Sequence, residues 1–159
     1  MHEAATHTMT TLVSFLLTAL VAGVLGGAAM EFALWLIGRV GWAKADMLVA
    51  LGSLLTKSRE SAWRVGAVLH ATSAVGFALV YTLLMYWLGV THLPRSLMLG
   101  LGVGMVHGLI VSLMLVWVVA EQHPLEEFNE ASLAIGLSHL VGHVVYGGVV
   151  GFVVGLSPL

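Results

Sequence analysis

Four apolar runs, each of about 20 residues or more, dominate this chain, and each is long enough to cross the hydrocarbon core of a bilayer as a helix. They cover 11–38, 62–90, 96–120 and 131–156. Charged residues make up 9% of the chain and hydrophobic ones 59%, whereas a soluble domain is about 25% charged. So few polar side chains cannot coat a soluble domain of this length. Lipid as the solvent removes that need, provided helices satisfy the backbone internally. The expected fold class is all-α: one domain over 1–159, a four-helix transmembrane bundle whose principal partner is the lipid bilayer.

The first loop carries a further pattern. Over 43–58, Met47, Leu48, Leu51, Leu54 and Leu55 recur at helical spacing, with Lys44, Ser53 and Lys57 between them. That periodicity predicts a short amphipathic helix lying in the membrane interface between spans one and two. The stretch from Met1 to His7 has no positive n-region, and the run after it is too long for the apolar core of a secretory signal. It is expected to lead into a retained span.

Orientation follows from the basic residues. Arg39, Lys44, Lys57, Arg59 and Arg64 lie in or beside the first loop, and Arg95 stands alone in the second. The third loop is acidic, with Glu121, Glu126, Glu127 and Glu130. Positive charge marks the cytoplasmic side, so loops one and three are expected there and both termini outside. Basic loop one and acidic loop three face the same side and can pair. Trp35, Trp42, Trp63 and Trp117 fall near the cytoplasmic boundary, and Tyr86 and Trp87 near the outer one, as interfacial belts. Glu126, Glu127 and Glu130 are expected in the first turn before span four, where the helix dipole favours negative charge. His123-Pro124 is read as the end of span three. A net charge of −2 with neutral histidine gives no reason to expect nucleic acid, and the absence of cysteine excludes disulfides and thiolate metal sites.

Ionisable residues inside a span cost about 2.5–3.5 kcal/mol each on insertion scales and are functional candidates by default. This chain places Glu31, His70, His107, His139 and His143 within its spans. At a rise of about 1.5 Å per residue, Glu31, His70 and His139 lie roughly 10–12 Å from the cytoplasmic boundary, and His107 and His143 about one turn deeper. Each sits on a stripe at three-to-four spacing. The stripes are Gly23, Gly27, Glu31 and Trp35; Gly66, His70, Ser73, Phe77 and Tyr81; Gly100, Gly104, His107, Met114 and Glu121; and Ser132, Gly136, His139, His143, Tyr146 and Gly147. Small residues on a stripe let helices approach closely, so these faces are expected to turn inward.

Imidazole and carboxylate from several helices suit a transition metal ion: Zn, Fe, Cu or Ni. The set predicts a membrane protein that binds such an ion and is a candidate for transporting it. Alternative expectations are an accessory subunit of a larger membrane complex, with haem b held between two histidines, or a proton- or ion-conducting homo-oligomer. Plain interhelical hydrogen bonding is the competing structural reading. His2, Glu3 and His7 form a weaker metal-ligand set outside the spans. No nucleophile, base and orienting group form a readable set, so an enzyme is disfavoured.

Two segments carry a resemblance: Leu69-His70 followed by Gly76, and Ser138-His139-Leu140 through Tyr146-Gly147-Gly148. They resemble segments of small bacterial four-helix integral membrane families of unassigned function. The resemblance implies a bacterial four-span protein in the cytoplasmic membrane and implies no activity. Gly142-His143 lies outside the shared pattern.

Overall fold

The structure is a computed structural model that describes residues 2–43, 46–129 and 132–159, with no account of the side chains of 2–7, 118 and 119. All regular elements among the described residues are helical: α1 His2–Arg39, α2 Met47–Thr56, α3 Ala62–Trp87, α4 Arg95–Met114 and α5 Leu133–Leu156. Four stretches are long and apolar enough to cross a membrane: Thr8–Arg39, Ala62–Trp87, Arg95–Trp117 and Leu133–Leu156. Their outward faces are apolar, with Leu16, Leu20, Val24, Val80, Leu83 and Ile110 exposed. The tryptophans at 35, 42, 63, 87 and 117 are exposed as well.

Helix ends differ from the sequence expectation in identifiable ways. α3 stops at Trp87 rather than at 90, and Gly89 then takes a φ of 66, a left-handed conformation that glycine adopts at no steric cost. α4 leaves α-geometry at Met114 and continues as a π-helical turn over Leu115–Val119, closed by Ala120 N–H donating to Leu115 O at 3.1 Å. Glu126 and Glu127 do not lie in the first turn of α5. They form a separate 3-10 turn, Glu126–Phe128, and Ser132 caps α5 by accepting from Ile135 N–H at 3.3 Å. Lys44, Glu130 and Ala131 lie outside the described residues.

Packing runs α4–α5–α1–α3–α2, and small residues set how closely each pair approaches. A Cβ on Gly23 would stand 2.7 Å from Val75 Cα, which brings α1 against α3. α5 and α4 meet along Gly147 and Gly151 on one side and Ser96, Gly100, Gly104, Gly108 and Ser112 on the other. The α4 stripe therefore holds a strict fourfold spacing. The stripe expected from sequence turns from Gly104 to His107, Met114 and Glu121, whereas the buried row continues through Gly108 and Ser112. Trp35, Ser73, Phe77, Met114, Glu121 and Ser132, expected on inward stripes, are exposed.

α2 is a helix where one was expected, and it packs on α3 through a side of small residues. Val49, Gly52 and Ser53 are buried, whereas Leu54 and Leu55 are exposed. The cause is steric: Gly52 and Gly66 bring the backbones of α2 and α3 together, and only a small residue fits there. Ser53 satisfies its buried hydroxyl by donating to Val49 O at 2.6 Å.

Candidate functional site

α3 and α4 meet only sparingly, although each packs closely on another helix. A cavity of about 930 Å³ lies between them, with α5 forming its back wall. His70 on α3, His107 on α4, and His139 and His143 on α5 all line it. Its remaining walls are largely apolar, including Met30, Phe77, Val111, Leu115 and Ile135. One end is closed by α2 and by the two loops that carry Asp46, Arg59, His123 and Glu127.

Glycine places the deeper histidines. Gly104 of α4 rests on the His143 carbonyl, and a Cβ on Gly108 would lie 2.8 Å from His143 Cβ. With no side chains between the backbones, His107 and His143 meet edge to face at a centroid separation of 4.6 Å. His107 also spans the gap to α3. Its ring is 4.2 Å from that of Phe77, and its Nδ1 is 3.1 Å from the Tyr81 hydroxyl.

The two α5 histidines share one arrangement. Nδ1 of His139 lies 2.9 Å from Ile135 O, and Nδ1 of His143 lies 2.8 Å from His139 O. A carbonyl only accepts, so each Nδ1 carries a hydrogen and donates. In the neutral ring Nε2 is then left as a lone-pair acceptor. Neither Nε2 has a protein partner among the described residues. Tyr146, one turn further along α5, has its hydroxyl occupied: it donates to Ala74 O at 2.6 Å and so ties α5 to α3.

Glu31 does not line the cavity but stands beside His70. Its Oε1 is 3.3 Å from His70 Nε2, yet the two are not aligned as a hydrogen bond. Both atoms are buried and have no other partner among the described residues. The five residues singled out from sequence thus fall into a Glu31–His70 pair, a His107–His143 pair, and His139, which sits one turn before His143. Among the described residues, no three histidine, aspartate or glutamate side chains converge as a ready metal site. The His2, Glu3 and His7 side chains lie outside the described residues.

Sequence reasoning missed two participants. Tyr81 was placed on a stripe but not recognised as the partner of His107. His123 was read only as a helix end, yet its ring is buried and binds the third loop to α2, with Nε2 3.1 Å from Ala50 O. The available signal was its place in a loop that must pass the same end of the bundle as α2. No family model matches this chain, nor does any curated protein or solved structure. The cavity itself is therefore the guide to function.

Proposed function

We propose that this chain is a four-span integral membrane protein that binds a small, largely apolar molecule in the cavity between α3 and α4. The observation that carries this reading is that four histidines from three helices line one cavity of about 930 Å³ whose other helical walls are largely apolar, with the charged residues Asp46, Arg59 and Glu127 gathered at one end. Ligand sites typically measure about 300–1,000 Å³ and combine apolar walls with a few polar groups. A bare ion would fill a small part of that space. Haem b belongs to the size class that fits, with imidazole as its axial ligand.

The membrane placement is supported by the four long apolar helices and their apolar outward faces. The basic first loop favours the cytoplasmic side for α2 and the α4–α5 connection, and the resemblance noted above favours a bacterial cytoplasmic membrane. α2, with Leu54 and Leu55 turned outward, is suited to lie at that interface. Native mass spectrometry of the detergent-purified chain, with an absorption spectrum, tests the ligand reading. A retained organic molecule that is lost in a Val111→Trp variant supports it. A chain that takes up no apolar compound refutes it. Single cysteines at Glu60 and His92, in a chain with none of its own, test the topology by labelling from opposite sides.

A transition metal ion is the second reading, held by a subset of Glu31, His70, His107, His139 and His143. It is favoured by the Nδ1–H to carbonyl anchors on His139 and His143, an arrangement usual for metal-ligating histidine. Elemental analysis of the purified protein, with and without His139→Ala and His143→Ala, separates it from the first.

A further inference from the structure

We infer that the molecule taken up by this cavity is a membrane-dissolved phenol or hydroquinone, recognised through a hydroxyl that donates to the α5 histidines. The inference rests on the ligand-binding reading above and adds the chemical class. Its first support is polarity. His139 and His143 each spend their Nδ1–H on a backbone carbonyl, which leaves Nε2 as an acceptor in the neutral ring. The α5 hydroxyls of Tyr146 and Ser138 are already bound, to Ala74 O and Ala134 O. A ligand oxygen meeting either Nε2 must bring the hydrogen itself. A carbonyl or ether oxygen placed there would set lone pair against lone pair.

The second support is shape. Phe77, Tyr146 and the His107 ring give the cavity aromatic walls, against which a flat ring packs by stacking or edge contact. The third is access. α3 and α4 make few contacts; the His107 ring bridges them at Phe77 and Tyr81, and exposed apolar side chains at Phe77, Ile110 and Met114 flank the gap on the α2 side of that bridge. A ligand dissolved in lipid reaches the histidines through that gap without crossing the Arg59–Glu127 end. An ion is a poorer occupant, since no three ligating side chains converge among the described residues.

The test uses the full chain in nanodiscs, under argon, with three probes: 2-decyl-1,4-hydroquinone, its dimethyl ether, and 2-decyl-1,4-benzoquinone. Calorimetric titration is expected to give hydroquinone affinity at least about tenfold above the other two, the size of one hydrogen bond plus the cost of unpaired acceptors. In His143→Phe and His139→Phe the preference should shrink to below about threefold, and His143→Gln, which restores an acceptor, should recover part of it. If a histidine variant misfolds, the three-probe comparison on the native sequence still decides. Equal affinity for all three overturns the donor inference and leaves the cavity reading standing. Failure of all three to bind, in a chain that retains some other organic molecule, does the same. Failure to bind any apolar compound removes both.

Discussion

His107 and His143 pack edge to face across the α4–α5 seam, their ring centroids 4.6 Å apart. The approach depends on the absence of side chains on the α4 surface below them. Every fourth residue there from Ser96 to Ser112 is glycine or serine, and each is buried. In lipid there is little hydrophobic drive between helices, so close backbone contact is a main source of association. The same glycines therefore hold the bundle together and set the geometry of the candidate site.

Gly108→Ala should separate the two histidines. The added methyl would fall 2.8 Å from His143 Cβ and 3.1 Å from Leu140 Cα, neither of which can swing away. Overpacking of this kind costs about 1–3 kcal/mol. Gly102→Ala is the matched control, since nothing lies within 4 Å of its Cβ position. It should be neutral or stabilising by up to about 1 kcal/mol through helix propensity. Thermal unfolding in detergent reads both. Equal melting temperatures for the two variants would show that the α4–α5 seam does not depend on close approach.

Tyr146→Phe removes the hydroxyl that donates to Ala74 O while keeping the ring over Gly26. The expected loss is about 0.5–1.5 kcal/mol, toward the lower end if the bond behaves like others measured between membrane helices. The variant should unfold earlier in a detergent titration yet keep its helical content. An unchanged midpoint would mean that the bond between α5 and α3 adds nothing to stability.

The long helices were legible because a run of about 20 apolar residues admits few alternatives. The inward faces were partly legible. On α5, Gly136, His139, His143, Tyr146 and Gly147 were assigned inward and are buried. On α4 the stripe was lost at Gly108 because the reading followed polar residues, whereas the helix is seated by small ones. On α2 the apolar periodicity marked Leu54 and Leu55 as the interface side, and both are exposed; Ser53, placed among the polar positions, is buried by a backbone contact through Gly52. Periodicity shows that a helix has a preferred face, but backbone approach decides which residues occupy it. The cavity was not legible at all. It arises from a gap between α3 and α4, which is a property of helix order and not of any one segment.

Gly66→Ala should detach α2 from α3. Its Cβ would lie 2.7 Å from the Leu48 carbonyl carbon, so the two helices must move apart. Ser53, fully buried under that contact, offers the readout as Ser53→Cys. In the parent carrying only that change, a water-soluble maleimide should label slowly. With Gly66→Ala added, labelling should accelerate by about tenfold or more, in line with an opening cost lowered by about 1.4 kcal/mol or more. Equal rates would indicate that α2 is held by the His123–Ala50 contact and not by its seat on α3.

The end of the cavity beside α2 is bridged by Arg59, whose guanidinium pairs with Glu127 and lies 3.8 Å from Asp46. This joins the first loop to the third, the pairing of basic and acidic loops foreseen from their charges. All three side chains are about half exposed, at 59%, 48% and 53%. Water therefore screens the pair, and holding two long side chains together costs rotamer freedom. A double-mutant cycle on Arg59→Ala and Glu127→Ala should give a coupling of about 0.2–1 kcal/mol. The coupling should fade as salt rises from about 0.15 M to 1 M, where the screening length falls from about 8 to 3 Å. A coupling several times larger and insensitive to salt would mean that the bridge is buried under native conditions. In that case the two loops would form a sealed cap over the histidine cavity, and the gap between α3 and α4 would be left as the way in.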